Sequence, residues 1–393
     1  MNNWNNQSGA NIPQGVDRIF DACGIAAYIN IDGRLEDGKK VVSMITTMKD
    51  RENGLGAGYA AYGLFPDYKD FYCIQLLLDD KQALVRVSEF LKTKVRIIKD
   101  EEVSTYCVPG IKKPYPLIWR FFVTPEKIDV NNEQDYMIRV VMGINIKVDG
   151  AFCMSSGKDM AVFKGNAWSD EVADFYRIQD YKAYMWLSHS RFPTNTCGWW
   201  GGAHPFNILD WSVVHNGEIT SYGTNKRYLE MWEYKCTLLT DTEVVAYLFD
   251  LLVRKHKLPI YIACMAMAPP YFHLIDEVLD DKERELYNTI RRNYRPAMLN
   301  GPFSICVGSN NPVPTLIGLT DRKKLRPLVA ADSKDGKSIY LASEECAIRI
   351  ANDNLNEIWA PHSGNPVIVE VGKGVIWKGT ETHLGNKELV ITE

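Results

Sequence analysis

The chain has 393 residues, 46% of them hydrophobic and 24% charged, with a formal net charge of −4. No run of eighteen apolar residues is present to span a bilayer, and the mildly acidic balance argues against a nucleic-acid-binding face, which would be basic. The nine cysteines are scattered, odd in number and without a C-x-x-C pair. That pattern belongs to free thiols in a reducing cytoplasm, not to disulfides, iron–sulfur ligands or a zinc site.

Residues 1–22 are rich in asparagine and lack both a basic start and an apolar core, so they do not read as a secretory signal. They read either as a disordered tail or as a propeptide removed between Ala22 and Cys23. Residues 24–31 predict a strand with Cys23 at its end. A lone cysteine beside a glycine is ordinarily a small buried hydrophobe. At the start of a processed chain its α-amine would titrate near neutrality and take the thiol proton.

Residues 41–48 predict a helix. The run Gly54-Leu55-Gly56-Ala57-Gly58 precedes a strand at 59–64 instead of following one and opening a helix. It is therefore a tight turn between packed backbones, not a nucleotide loop. Residues 66–146 read as an inserted α/β subdomain, ferredoxin-like, with strands at 71–78, 95–98, 118–123 and 136–146 and a helix at 81–91. No chemistry is assigned to it. A strand at 160–164 and a helix at 169–180 follow.

Three groups stand out between residues 189 and 243. Arg191-Phe192-Pro193-Thr194 offers a guanidinium, the planar fork that holds a carboxylate bidentately. His215-Asn216-Gly217-Glu218 follows a strand at 211–214 and sets a side-chain amide beside a glycine N–H; Asn-Gly between apolar runs is equally a hairpin signal. Thr240-Asp241-Thr242-Glu243 places a carboxylate in the first turn of a helix and is also a capping box. Trp199-Trp200-Gly201-Gly202 reads as a packed loop. His189, His204 and His215 lack the spacing of a metal site. Beyond Asp241 the pattern is helical to about 297, broken at Pro259 and Pro269-Pro270. It then turns β-rich, with strands at 303–307, 315–319, 338–342, 358–360 and 366–371.

In order and spacing, these groups resemble the glutamine-binding half of a class II glutamine amidotransferase, an N-terminal-nucleophile hydrolase. The likeness is strongest to the amidotransferase domain of glutamate synthases in its stand-alone form. It rests on Cys23-Gly24-Ile25-Ala26, Arg191 to Thr196, Ala203-His204-Pro205-Phe206, Val214 to Ile219 and Ala342-Ser343-Glu344. Thr320 to Leu328 is similar to the family's Asp-Arg-x-Gly-x-Arg-Pro segment, except that Lys324 stands where the family has glycine, which puts the local turn in question.

The resemblance implies an α+β fold: a four-layer αββα sandwich of two antiparallel sheets. It would comprise an extension at 1–22, an amidotransferase domain at 23–375 interrupted at about 66–146, and a tail at 376–393. It implies Cys23 as nucleophile, Asn216 and Gly217 as the oxyanion hole, and Arg191, Thr194, Asp241 and His215 as the glutamine-binding residues. No metal or cofactor is expected in this chain. FMN and iron–sulfur clusters are expected on partner subunits, where a flavin-containing synthase would use the ammonia to make glutamate from 2-oxoglutarate. Two alternatives stay open: another acceptor, as in an N-methylglutamate-type synthase, or an unprocessed regulatory subunit.

Overall fold

The computed structural model describes residues 23–126, 132–192, 198–238, 240–278 and 280–380. Residues 1–22, on which the propeptide expectation falls, lie outside them. Two antiparallel sheets face each other. The first has seven strands, in the order Leu355–Trp359, Val329–Ser333, Ser338–Ala342, Gly24–Asn30, Met185–Ser190, Ala57–Tyr62 and Met160–Gly165. The second has six, in the order Phe206–Ile208, Trp211–Gly217, Phe303–Ser309, Thr315–Thr320, Val367–Glu370 and Gly374–Trp377.

Side-chain alternation sorts the layers. Val214, Cys306 and Leu316 pack with the seven-stranded sheet, while their neighbours Val213, Ile305 and Ile317 pack with the helix Asp241–Phe249. A period of two along each strand sends successive residues to opposite faces, so each strand of the second sheet serves two cores. The helices Lys39–Thr47, Ser169–Tyr176 and Glu345–Ala351 cover the outer face of the first sheet. The result is helix, sheet, sheet, helix. Every residue of Gly24–Asn30 is buried, because helices lie over one face and a sheet over the other. This is why Ile25, Ala26, Ala27, Tyr28 and Ile29 run consecutively on both faces instead of alternating with polar residues.

A further sheet has the order Val95–Glu102, Leu117–Pro125, Tyr72–Leu78, Ala151–Ser155. With the helices Lys81–Lys92 and Glu133–Lys147 the chain order is βαββαβ, the split βαβ arrangement of ferredoxin-like units. One expectation is corrected: residues 136–146 are helical, not a strand. Buried Met137, Ile138, Val140, Val141, Met142 and Ile144 make a nearly continuous apolar run, which periodicity alone does not assign. The acidic first turn (Glu133, Asp135) and the closing Lys147 are the helix signals it carried. No helix among the described residues is long and apolar enough to cross a membrane.

Candidate active site

Cys23 sits at the start of the central strand of the seven-stranded sheet. Antiparallel register sets Gly24 opposite Ser190, which brings Arg191 and Phe192 alongside the thiol. The Phe192 N–H donates to Cys23 Sγ at 3.2 Å. Burial pushes the Cys23 thiol above its ordinary pKa of 9.0, against the pull of the Phe192 N–H and the Arg191 charge; Asp241 adds a smaller upward push. The guanidinium of Arg191 and the carboxylate of Asp241 are thus both close enough to act on this sulfur. As a thiol at rest, Cys23 needs a base to become a nucleophile.

On the other flank, Ser338–Ala342 pairs with the same strand, and Ser343 follows it. The Ser343 N–H donates to the Ile25 carbonyl at 2.9 Å, and the Ile25 N–H donates to Ser343 Oγ at 3.2 Å. From the facing sheet, Asn216 Nδ2 donates to that same Oγ at 3.4 Å. A buried serine therefore joins the nucleophile strand to the amide on the opposite sheet. Asn216 Oδ1 is buried without a hydrogen-bond partner.

Asn216-Gly217 is not a hairpin turn. It ends the strand Trp211–Gly217 and pairs with Ser304 and Phe303; the hairpin between 206–208 and 211–217 turns at Leu209-Asp210 instead. Gly217 takes φ +124°, and a Cβ there would meet the Pro302 carbonyl at 2.0 Å. Phe303, opposite Gly217, gives its N–H to the Asp321 carboxylate and its carbonyl to the Asp321 N–H. Phe303 thus turns its N–H and carbonyl toward Asp321, on the side away from Gly217.

Asp241 opens the helix Asp241–Phe249, with Thr240 as its cap accepting from the Glu243 N–H at 3.3 Å. The Glu243 carboxylate reaches past Thr240 to accept from the Thr237 and Leu238 N–H groups at 2.9 Å each. Asp241 Oδ2 accepts from the Ile219 N–H at 2.8 Å, fixing the carboxylate just beyond Asn216-Gly217. His215 lies beneath, with Nδ1 3.0 Å from Thr242 Oγ1 and 3.9 Å from Asp241 Oδ1. Burial lowers its pKa, against an upward push from Asp241. The His189 and His204 rings stack at 3.9 Å, and burial holds both far below 6.5. These buried imidazoles are neutral packing and hydrogen-bonding groups. Among the described residues no cluster of three or more His, Cys, Asp or Glu could hold a metal ion.

The structure thus brings together Cys23, Arg191, Asn216, Gly217, Asp241 and His215, from four separate places in the chain. Thr194 lies outside the described residues. The glycine run 54–58 works as a spacer: a Cβ on Gly58 would meet the His204 carbonyl at 2.3 Å, and one on Gly56 would press on the Arg191 side chain at 3.3 Å. Sequence reasoning assigned no role to Ser343, although the Ala-Ser-Glu motif at a strand end was its signal. It also missed Arg51, which pairs with Glu344 next to that serine.

The family model for class II glutamine amidotransferases matches residues 103–388. That span takes in Arg191, Asn216, Gly217, Asp241 and Ser343; Cys23 precedes it. An uncharacterized protein of Archaeoglobus fulgidus is 46% identical over 358 residues, covering 90% of this chain and 93% of its own. The glutamate synthase [NADPH] large chain of Bacillus subtilis is 24% identical over 257 residues, 60% of this chain and 16% of that one. Among solved structures, the glutamine phosphoribosylpyrophosphate amidotransferase of B. subtilis matches with a TM-score of 0.45 and 14% identity. The match covers 90% of this chain and 48% of that one, so the chain spans about half the length of that relative.

Proposed function

Because the chain belongs to the class II glutamine amidotransferases, we propose that it hydrolyses L-glutamine through Cys23. In this reading residues 1–22 are removed and the freed α-amine of Cys23 takes the thiol proton. The thiolate then adds to the side-chain carbonyl, and the oxyanion forms against Asn216 Nδ2 and the Gly217 N–H. The amine returns its proton to the departing ammonia, and water resolves the γ-glutamyl thioester. Arg191 and Asp241 hold the substrate's carboxylate and ammonium, with Thr194 and His215 supporting them. The observation that carries this reading is the convergence on Cys23 Sγ of the Phe192 N–H with the charges of Arg191 and Asp241.

The acceptor is inferred from relatives. Glutamate synthases are among the similar proteins, so the ammonia is assigned to a separate flavin- and iron–sulfur-containing subunit that makes glutamate from 2-oxoglutarate. Intact mass and N-terminal sequencing of the purified protein test the first step: a chain beginning at Cys23 supports it, and an intact Met1 points to a silent precursor. Cys23→Ala should abolish glutamine hydrolysis and keep the fold, while Asp241→Asn should mainly raise KM. Full hydrolysis by Cys23→Ala would sink the mechanism. Assay with ammonia and with methylamine acceptor systems separates glutamate from N-methylglutamate synthesis.

A further inference from the structure

The turn from Asp321 to Leu328 backs the oxyanion strand on one side, where a Cβ on Gly217 would lie 3.1 Å from the Arg326 side chain. Arg322 of the same turn lines a cavity of about 500 Å³, within the roughly 300–1,000 Å³ typical of small-molecule sites. The helices Ile260–Met267, Phe272–Asp276 and Asp281–Asn293, the loop 362–366 and the last strand enclose it. Its wall is aromatic. Tyr261 and Trp377 stack with 5.5 Å between ring centroids and 3° between planes, and Tyr271 also lines it.

Arg322 is held in place twice. Its guanidinium carbon lies 4.6 Å from the centre of the Tyr271 ring, and its Nη2 donates to Asn300 Oδ1 at 2.5 Å. A guanidinium carries five N–H donors, so most remain for a ligand. Two more cations stand close by: Arg291 over Phe272 at 3.9 Å, and Lys323 5.9 Å from the Tyr271 ring. Among the described residues no carboxylate pairs with any of these three cations. Among the described residues Glu277 is the one carboxylate in the lining, opposite in charge to Arg322, and Arg291 and Lys323 add positive charge just outside it.

A fixed guanidinium with spare donors beside stacked rings recognises a flat apolar body bearing an anion. We propose that this cavity is a second small-molecule site, distinct from the glutamine site. It takes a planar, apolar ligand carrying one carboxylate or phosphate; Arg322 anchors the anion, and Tyr261, Tyr271 and Trp377 form the apolar wall.

Calorimetric titration of the full chain with 2-naphthoate, 2-naphthyl phosphate and the neutral 2-naphthamide tests it, each with and without excess L-glutamine. The expected result is one saturable site at which at least one anion binds about tenfold or more tighter than the amide, the value of a charge-assisted hydrogen bond. Glutamine should not displace it, and Arg322→Gln should erase the preference for the anion. Whichever anion binds tighter separates carboxylate from phosphate recognition. Equal affinity for acid and amide, displacement by glutamine, or silence toward both anions would overturn the proposal. So would wild-type affinity in a folded Arg322→Gln. Should that variant not fold, the contrast between acid and amide on the unaltered chain still decides.

Discussion

The Asn216 side-chain amide has two N–H bonds. One is spent on Ser343 Oγ at 3.4 Å, which leaves the other for a substrate oxyanion. Ser343 therefore acts through Asn216 as a positioning residue. Ser343→Ala should lower kcat about tenfold with KM unchanged, less than the roughly 10²–10³ lost when an oxyanion donor itself is removed. It should also cost about 1–2 kcal/mol in stability, since the buried Ile25 N–H loses its side-chain acceptor. Ser343→Thr should restore both. A drop in melting temperature with unaltered kcat would mean that the serine only packs.

A second prediction at this scale concerns Glu52. Its buried carboxylate accepts from the Ser169 N–H at 3.0 Å and from the Ser169 hydroxyl at 2.9 Å, yet burial raises its pKa from 4.5 to about 7. A raised folded pKa means that the stability is present below the unfolded value and is lost as pH climbs through the folded one. Between about pH 5 and pH 8 the unfolding free energy of the native protein should fall by about 2 kcal/mol relative to Glu52→Gln. Denaturant titrations of both proteins across that window measure it; a constant offset between them would show that Glu52 ionises normally.

Among the elements, the turn at Lys324 answers the question raised by its missing glycine. Lys324 adopts φ +51°, the left-handed conformation a glycine takes freely and other residues take at a cost of about 1–2 kcal/mol. The turn holds because the Asp321 carboxylate accepts from the Phe303, Lys323 and Leu325 N–H groups, and Lys324 Nζ donates to the Pro361 carbonyl at 2.7 Å. Lys324→Gly should thus change stability by less than about 1 kcal/mol, relief of strain offsetting the lost hydrogen bond, with glutamine kinetics intact. Lys324→Val, β-branched at positive φ, should destabilise more. Thermal melts of the two variants separate geometry from the lysine contact.

Elements of this kind mark what a sequence discloses. Strands such as Gly24–Asn30 and Ser338–Ala342 were legible because they are short, five to seven residues, with turn residues close by, such as Asp32-Gly33 and Asp335-Gly336, and length arbitrates between strand and helix. The helix Glu133–Lys147 was not, since burial over most of its surface removes the period that identifies a helix. The Asn-Gly pair carried two readings. Only the partner strand at Phe303–Ser309, some ninety residues on, decides between turn and strand end.

At the scale of the whole molecule, the site consists of strand ends from two sheets, and that assembly is written in long-range register, which no local window contains. The ferredoxin-like unit is joined to the rest by a comparable long-range link. Asp250, 1% exposed, receives Arg254 Nε at 2.7 Å and Nη2 at 2.8 Å, together with the Tyr234 hydroxyl. The same Nη2 lies 2.7 Å from Asp135, on the helix Glu133–Lys147 of the ferredoxin-like unit. Arg254 thus ties that unit to the segment that continues the helix opened by Asp241.

Removing one partner of a buried ion pair strands the other charge, at about 3–5 kcal/mol. Arg254→Met should lose stability of that order in denaturant titrations, and adding Asp250→Asn should recover much of it by removing the stranded charge. Hydrogen exchange should then open residues 133–147 well before the strand Gly24–Asn30, because only the first has lost its tie. Exchange that speeds up equally in both would mean that the unit and the sandwich unfold as one, with Arg254 stabilising the whole instead of joining parts. A loss below about 1 kcal/mol would place this pair with solvent-screened ones.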